Sequence, residues 1–182
     1  MKNLATGVIL GLFLVSVMAC GLIDRFTSGG QKMNKVGTLW SDVPPMDGMS
    51  PSETELPIGV KLILRTIIGN MGRLNKEGED RSTGDIDWTS FSGDKAPADV
   101  ESFYTNDRMT SFGNWETNKN PSCVDAKDKG VNGVFCVYAK KVDKRPVGLV
   151  IFAMRNDDTK KTDIYYLRVE ADQPDTAKSP SQ

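Results

Sequence analysis

The side chains that carry most protein chemistry are unevenly represented in this 182-residue chain. It has three cysteines, 24 Asp and Glu residues and no histidine. Without histidine, Ser-His-Asp and Cys-His catalytic sites and histidine-ligated metal sites are excluded. The carboxylate pair Asp157-Asp158 falls in a short polar connection, where solvation is the ordinary explanation. We therefore expect no catalytic residue and no metal site, and we keep a carboxylate-dependent hydrolase as a remote alternative.

The first 20 residues have the features of an export signal. Lys2 gives a cationic start, residues 4–19 are uncharged and mostly apolar, and Val17 and Ala19 stand three and one residues before Cys20. This apolar run is shorter than the roughly 20 residues that a membrane span needs. It fits the apolar region of a signal peptide, followed by a small-residue cleavage site. We expect residues 1–19 to be removed, with cleavage between Ala19 and Cys20.

The residues around this cleavage point, Val17-Met18-Ala19-Cys20, resemble the lipobox of bacterial lipoproteins. In that family the cysteine sulfur receives a diacylglycerol, and the new amine is often acylated, as by palmitate. The resemblance implies a covalent lipid on Cys20, no other cofactor, and a cell-membrane anchor facing the periplasmic or extracellular side. Several acyl chains hold stably because each buried CH₂ contributes about 0.8 kcal/mol. An unlipidated secreted protein and an uncleaved N-terminal anchor are the alternatives.

Lipidation of Cys20 leaves Cys123 and Cys136 as a pair outside the cytoplasm, where a disulfide is favoured. The segment between them is rich in turn residues and contains Asn132-Gly133, a strong turn dipeptide. If the flanking segments form an antiparallel hairpin, the two cysteines can face each other. A redox dithiol usually has Cys-x-x-Cys spacing, which is absent here. We therefore predict a structural disulfide.

The mature chain has a size and charge that limit its partners. Loss of residues 1–19 removes Lys2 and leaves 163 residues with 22 Lys and Arg against 24 Asp and Glu, a net charge of −2. That length corresponds to one domain. A near-neutral balance provides no electrostatic footprint for nucleic acid, so we expect no nucleic-acid partner.

Composition divides the mature chain into a tether, a domain and a tail. Residues 20–52 contain repeated Gly, Pro and Ser, which disfavour long regular elements, and we predict a lipid-anchored tether there. Trp40 and three methionines interrupt its polarity and indicate that part of it docks on the domain. We place the single folded domain at residues 53–170 and a disordered polar tail at residues 171–182.

The most regular pattern predicts an amphipathic helix over residues 56–74. Its apolar residues recur on one helical face, namely Leu56, Val60, Ile63, Leu64, Ile67, Ile68, Met71 and Leu74. The helix can lie on an anionic membrane surface or pack on a sheet. Few basic residues and two internal glycines favour packing on the sheet.

From residue 84 the apolar period changes and predicts a sheet domain over residues 84–170. A strand at 86–91 precedes a helix that begins at Pro97, and four strand candidates follow at 115–124, 134–141, 147–154 and 162–170. Residues 147–154 are apolar on both faces, which is typical of a central strand covered on both sides, or covered by a helix on one side and by a partner on the other. The predicted fold is α+β, an antiparallel meander sheet of about five strands with one or two helices packed on it.

Two stretches resemble uncharacterised bacterial envelope lipoproteins. One is Leu39-Trp40-Ser41-Asp42-Val43-Pro44 with Met46-Asp47-Gly48-Met49. The other is Ala98-Asp99-Val100, then Phe103-Tyr104-Thr105-Asn106-Asp107-Arg108-Met109, followed by a glycine and a tryptophan. In those proteins a strand leads to a helix with a Phe-Tyr pair, a Gly-Trp corner and a meander. Here Asn114 separates Gly113 from Trp115, a departure from that pattern. The resemblance implies an architecture and a location, but no site.

These features favour a membrane-anchored, non-catalytic binding or assembly module of the cell envelope, with an envelope protein as partner. Tryptophan is enriched at the energetic centres of protein interfaces, and the chain has Trp40, Trp88 and Trp115. We expect Trp88 and Trp115 to be core residues, which leaves Trp40 as the candidate contact. A small solute- or lipid-binding lipoprotein is the alternative, and it needs a cavity of roughly 300 Å³ or more.

Overall fold

A computed structural model gives the fold of the protein. It describes residues 32–61, 83–117, 122–126, 132–143 and 145–171. The predicted signal peptide, Cys20, residues 62–74 of the predicted amphipathic helix and residues 172–182 of the predicted tail lie outside these ranges.

The described residues form one mixed sheet with helices against it. The strands are β1 (Met33–Lys35), β2 (Met49–Pro51), β3 (Thr83–Gly93), β4 (Cys123–Asp125), β5 (Gly133–Val142), β6 (Arg145–Arg155) and β7 (Thr162–Ala171). Their order is β1-β3-β7-β6-β5-β4, and β2 also pairs with β3. The helices are α1 (Pro97–Phe103) and α2 (Asn106–Gly113), and residues 58–61 are helical as well.

The predicted α+β class is confirmed, and the description of the sheet needs two corrections. It has seven strands in place of about five, and β1 runs parallel to β3, so the sheet is not purely antiparallel. Both differences come from β1 and β2. A strand of three residues is too short to show an alternating pattern, and these two lie in a segment rich in turn residues.

The strand predicted at residues 115–124 is mostly absent from the described part of that segment. Only Cys123–Asp125 forms a strand there, and Glu116 makes an isolated bridge to Ala139. Asn114 adopts a left-handed conformation with φ of 56° and ends α2, so the chain turns away before Trp115. The aromatic residue that suggested a strand therefore packs as a corner residue.

Both faces of the sheet are apolar. Face A is the side on which α1 and α2 lie, and its buried residues include Val100, Tyr104, Met109, Trp115, Tyr138, Leu149, Ile151 and Tyr166. Face B is the opposite side, and its buried residues include Leu56, Val60, Ile86, Trp88, Val150, Phe152, Tyr165 and Leu167. Residues 147–153 of β6 are buried throughout, which confirms the prediction of a central strand covered on both sides.

The described start of the predicted amphipathic helix packs on the sheet. Leu56 and Val60 are buried against face B, as the sheet-packing interpretation requires for these two positions. The remaining apolar positions, from Ile63 onward, lie outside the described residues. Within the described ranges, no helix is both long and apolar enough to span a membrane.

The two helices begin where their sequences contain helix-start residues. Pro97 occupies the first turn of α1, and the Asp99 carboxylate accepts a hydrogen bond of 2.8 Å from the Ala96 N–H. Thr105 caps α2 by accepting a hydrogen bond of 3.3 Å from the Arg108 N–H. The segment at Thr105 therefore restarts the helix, as polar capping residues favour.

The predicted disulfide is confirmed by the register of the β4–β5 hairpin. Cys123 pairs directly with Cys136, the two Cα atoms are 4.0 Å apart, and the sulfurs are bonded. The backbone bonds Val137 N–H to Ser122 and Ala126 N–H to Gly133 flank this pair. It is therefore a non-hydrogen-bonded position, where side chains approach most closely.

Much of the segment predicted as a tether belongs to the folded body. β1 lies beside residues 86–88 of β3 and β2 beside residues 91–93, so both strands occupy the same edge of β3. Val43 and Met46, between them, are buried in the face A core. Residues 20–31 of the predicted tether lie outside the described ranges.

Replacing Cys123 and Cys136 together with alanine should lower the free energy of unfolding by about 3 kcal/mol, because the bond closes a short loop in the unfolded chain. Urea unfolding of the oxidised proteins measures this difference. Alanine also removes two buried sulfur atoms, so reduced wild-type protein is the control that keeps them. A double variant as stable as oxidised wild type would contradict the prediction.

Candidate functional site

Residues 36–48 connect β1 to β2, and we call them the strap. The strap leaves the edge of β3 after the Val36 N–H donates to the Trp88 carbonyl at 2.8 Å. It turns where the Val43 N–H donates to the Trp40 carbonyl at 3.0 Å, and turns again at Gly48, whose φ of 80° suits glycine. Between these turns the strap packs on face A.

Asp42 fastens the strap to two strands of the sheet. Arg168 on β7 donates from Nη1 to both carboxylate oxygens, at 3.2 and 3.1 Å, and Lys140 on β5 donates from Nζ to Oδ2. The side chain of Asp42 is 24% exposed, whereas Lys140 and Arg168 are only 11% and 13% exposed. One carboxylate thus joins two largely buried cations from separate strands.

The charges in this cluster balance. Arg168 also donates from Nε to the Glu170 carboxylate at 2.9 Å, and the Glu170 side chain is 45% exposed. Two carboxylates therefore face two cations. Because a buried cation without a partner is costly, this pairing allows Lys140 and Arg168 to lie on the sheet face that forms the core.

Two indole rings accompany the cations. The Lys140 Nζ is 4.4 Å from the centre of the Trp115 ring, and the Arg168 Cζ is 5.9 Å from the same centre. The Arg168 Cζ is also 5.8 Å from the centre of the Trp40 ring. These distances lie within the cation–π range, which extends to about 6 Å.

Trp115 forms the buried base of the cluster. Its Nε1 donates to the Asp42 carbonyl at 2.8 Å, and its ring is fully buried. Gly113 is required beside it, because a Cβ at that position would overlap the Asp42 carbonyl oxygen and the Trp115 ring. The glycine and tryptophan of this corner therefore hold the strap.

Three buried tyrosines form a hydrogen-bonded group beneath the strap, and one of them, Tyr104, bonds the strap backbone directly. The Tyr104 hydroxyl donates to the Pro44 carbonyl at 3.0 Å. Its single proton is then committed, so the Tyr166 hydroxyl is the donor in the 2.7 Å bond that joins the two phenols. Tyr138 donates its hydroxyl to the Tyr104 carbonyl.

These phenols remain protonated at neutral pH. Burial is the largest cause that raises the pKa of Tyr104 above its ordinary value, and the neighbouring Tyr166 raises it further. Burial likewise raises the pKa of Tyr138 and of Tyr166. Each phenol can thus donate the hydrogen bond that the fold requires of it.

The structure places the other residues singled out in the sequence as follows. Trp88 and Trp115 are buried, as expected, and Trp40 is partly exposed at the edge of the face A core. Asp157 and Asp158 are exposed in the β6–β7 connection, where the Asn156 side chain accepts from the Asp158 N–H at 3.0 Å. Ala19 and Cys20 lie outside the described residues.

The sequence analysis did not identify the charged cluster. One sequence feature could have pointed to it: Arg168 falls in the same alternating phase of β7 as Ile164 and Tyr166, which are core residues. Among the described residues, no group of three His, Cys, Asp or Glu side chains is arranged to hold a metal ion.

Replacing Asp42 with alanine should lower the free energy of unfolding by about 2–3 kcal/mol, less than the loss for a fully buried pair because Asp42 is partly exposed. Urea unfolding measures the change. Sodium formate, at constant ionic strength, should restore part of the stability because Lys140 and Arg168 retain a place for a carboxylate.

Asp47→Ala is the matched control for this prediction, since Asp47 is an exposed carboxylate on the same strap. It should change stability by less than about 0.5 kcal/mol. Equal stability of the two variants, or an equal effect of formate on both, would show that Asp42 does not hold the strap.

Comparisons with known proteins leave the function to be argued from this site and from the sequence. No protein family model matches the chain, and neither the comparison with curated proteins nor that with solved structures found a match.

Proposed function

We propose that this protein is a lipid-anchored, non-catalytic binding module of a bacterial cell envelope, and that Trp40 contacts an envelope protein partner. The observation that carries the proposal is the placement of Trp40. It is a partly exposed aromatic side chain on a strap that is fastened to the sheet. It lies beside Arg168, whose positive charge is paired with carboxylates.

Trp40 is a residue type that is typical of protein contacts. Tryptophan is enriched among the residues that dominate interface binding energy. Trp40 adjoins Arg168, whose charge is matched by Asp42 and Glu170. A partner that covers Trp40 therefore does not have to leave an unpaired cation buried, which would oppose binding.

The proposed anchor restricts where the partner is found. About 13 peptide units separate Cys20 from Met33, the first residue of β1. A fully extended chain of that length spans about 45 Å at most. A lipid on Cys20 would therefore hold the domain near the membrane surface, and its partner would belong to the same layer of the envelope.

The polar groups around the strap favour binding over catalysis. Asp42 is engaged by Lys140 and Arg168, and the Tyr104 hydroxyl is engaged by Pro44 and Tyr166. Each of these groups has a partner that fixes the backbone or the side chains of the site. Their arrangement supports a rigid surface, which lowers the cost of ordering when a partner binds.

A Cys20→Ala variant should lose membrane attachment, because it removes the sulfur that the proposed diacylglycerol modifies. Fractionation of cells followed by detection of the protein in membrane and soluble fractions measures this. Because the change can block processing, the soluble fraction is checked for the mature mass. A processed variant that still sediments with membranes would contradict the lipid anchor.

A Trp40→Ala variant should reduce cross-linking to the partner, since the substitution removes the proposed contact. The measurement is cross-linking of the full-length lipidated protein in intact membranes, followed by mass spectrometry of the linked species. Phe112→Ala is the matched control, because Phe112 is another exposed aromatic residue, 50% exposed on α2. Thermal unfolding of both variants verifies that they are folded.

One envelope protein cross-linked in wild type and Phe112→Ala, but reduced in Trp40→Ala, is the expected result. If the three proteins yield the same cross-linked species in equal amounts, Trp40 is not the contact and the proposal is wrong in this respect. The absence of any specific protein partner in wild type would contradict the binding function itself.

A further inference from the structure

We infer that Arg168 is a positioning residue that fixes the Trp40 indole in the orientation recognised by the partner. This inference rests on the proposed function, in which Trp40 makes the contact. Arg168 itself is only 13% exposed, so it acts through Trp40 and offers little surface of its own.

The guanidinium of Arg168 is fixed by three acceptors. Nη1 donates to the two Asp42 oxygens at 3.2 and 3.1 Å, and Nε donates to the Glu170 carboxylate at 2.9 Å. Because the guanidinium group is planar, acceptors on two of its nitrogens define the plane in which it lies. Arg168 therefore presents a fixed surface to its neighbours.

The Arg168 guanidinium lies close to both the partly exposed indole of Trp40 and the buried indole of Trp115. The Arg168 Cζ lies 5.8 Å from the centre of the Trp40 ring and 5.9 Å from the centre of the Trp115 ring. Trp115 is immobilised by burial and by the hydrogen bond from its Nε1 to the Asp42 carbonyl. Arg168 thus links the position of the Trp40 ring to that of Trp115, which belongs to a rigid part of the core.

Such ordering matters because Trp40 stands on a connection between two short strands. Its carbonyl accepts the turn bond from the Val43 N–H, which fixes the backbone, whereas the ring is held only by packing at the edge of the face A core and by its proximity to Arg168. A contact residue that is already ordered loses less entropy when it binds. Loss of the guanidinium should therefore weaken partner binding without removing any atom from the contact surface.

Lysine cannot replace arginine here. Its single ammonium lacks the planar fork that bonds Asp42 and Glu170 together while the group lies within cation–π distance of the Trp40 ring. Arg168→Lys consequently retains the positive charge and loses the orientation. Arg155→Lys is the matched control, because Arg155 pairs with the first residue of β7, Thr162, at the end of that strand remote from Arg168.

The first measurement is the mobility of the tryptophan side chains, by ¹⁵N relaxation of the three indole N–H groups. In Arg168→Lys the order parameter of Trp40 should fall from about 0.85 to below about 0.6, the range of flexible groups. Trp88 and Trp115 are internal standards that should not change. Arg155→Lys should leave all three values as in wild type.

The second measurement is cross-linking to the partner in intact membranes, which should fall several-fold in Arg168→Lys and remain unchanged in Arg155→Lys. Glu170→Gln is a second variant for the case in which Arg168→Lys does not fold. It removes the charge of a half-exposed acceptor, leaves Asp42 in place, and should change both quantities in the same direction by a smaller amount.

The inference is overturned if Trp40 remains ordered in Arg168→Lys, or if Trp40 loses order while cross-linking is unchanged. In the case where Arg168→Lys does not fold, unchanged order and cross-linking in Glu170→Gln overturn it. These outcomes differ from failure of the proposed function, in which Trp40→Ala itself leaves cross-linking unchanged.

Discussion

The Asp42 carboxylate is the constraint on which this fold depends. Lys140 and Arg168 project from two strands onto the sheet face that also forms the core, and their charges require a counterion there. Asp42 supplies it from a segment 98 residues before Lys140 and 126 residues before Arg168. In meeting that requirement it holds the strap on face A, where Val43 and Met46 complete the core.

The segment from Tyr104 to Trp115, which includes α2, provides the hydrogen bonds and the space that the strap backbone needs. Trp115 donates to the Asp42 carbonyl, and Tyr104 donates to the Pro44 carbonyl two residues later. Gly113 leaves the space that the strap backbone occupies. The Phe-Tyr helix and the Gly-Asn-Trp corner, which stand out in the sequence, therefore share a physical role: they satisfy backbone carbonyls that would otherwise be buried without partners.

The elements that could be predicted are those whose information is local. The apolar residues of β5 and β7, the continuous apolar run of β6 and the turn dipeptide Asn132-Gly133 are sufficient to predict these strands and the Cys123–Cys136 register, because hairpin partners are adjacent in sequence. β1 and β2 have three residues each, and each pairs with a part of β3 that lies about 40 or more residues later in the sequence, so no local pattern indicates the pairing. The charged cluster was missed for the same reason, since nothing near Asp42 indicates a partner on β7.

The position of β1 separates the proposed anchor from the proposed contact. β1 precedes the strap, so any tension from a lipid on Cys20 reaches its three residues before it reaches Asp42. The pairing of β1 with β3 and the bonds of Asp42 to Lys140 and Arg168 share no residue. Fraying of a three-residue edge strand would therefore leave the bonds that attach the strap, and the turn that carries Trp40, intact.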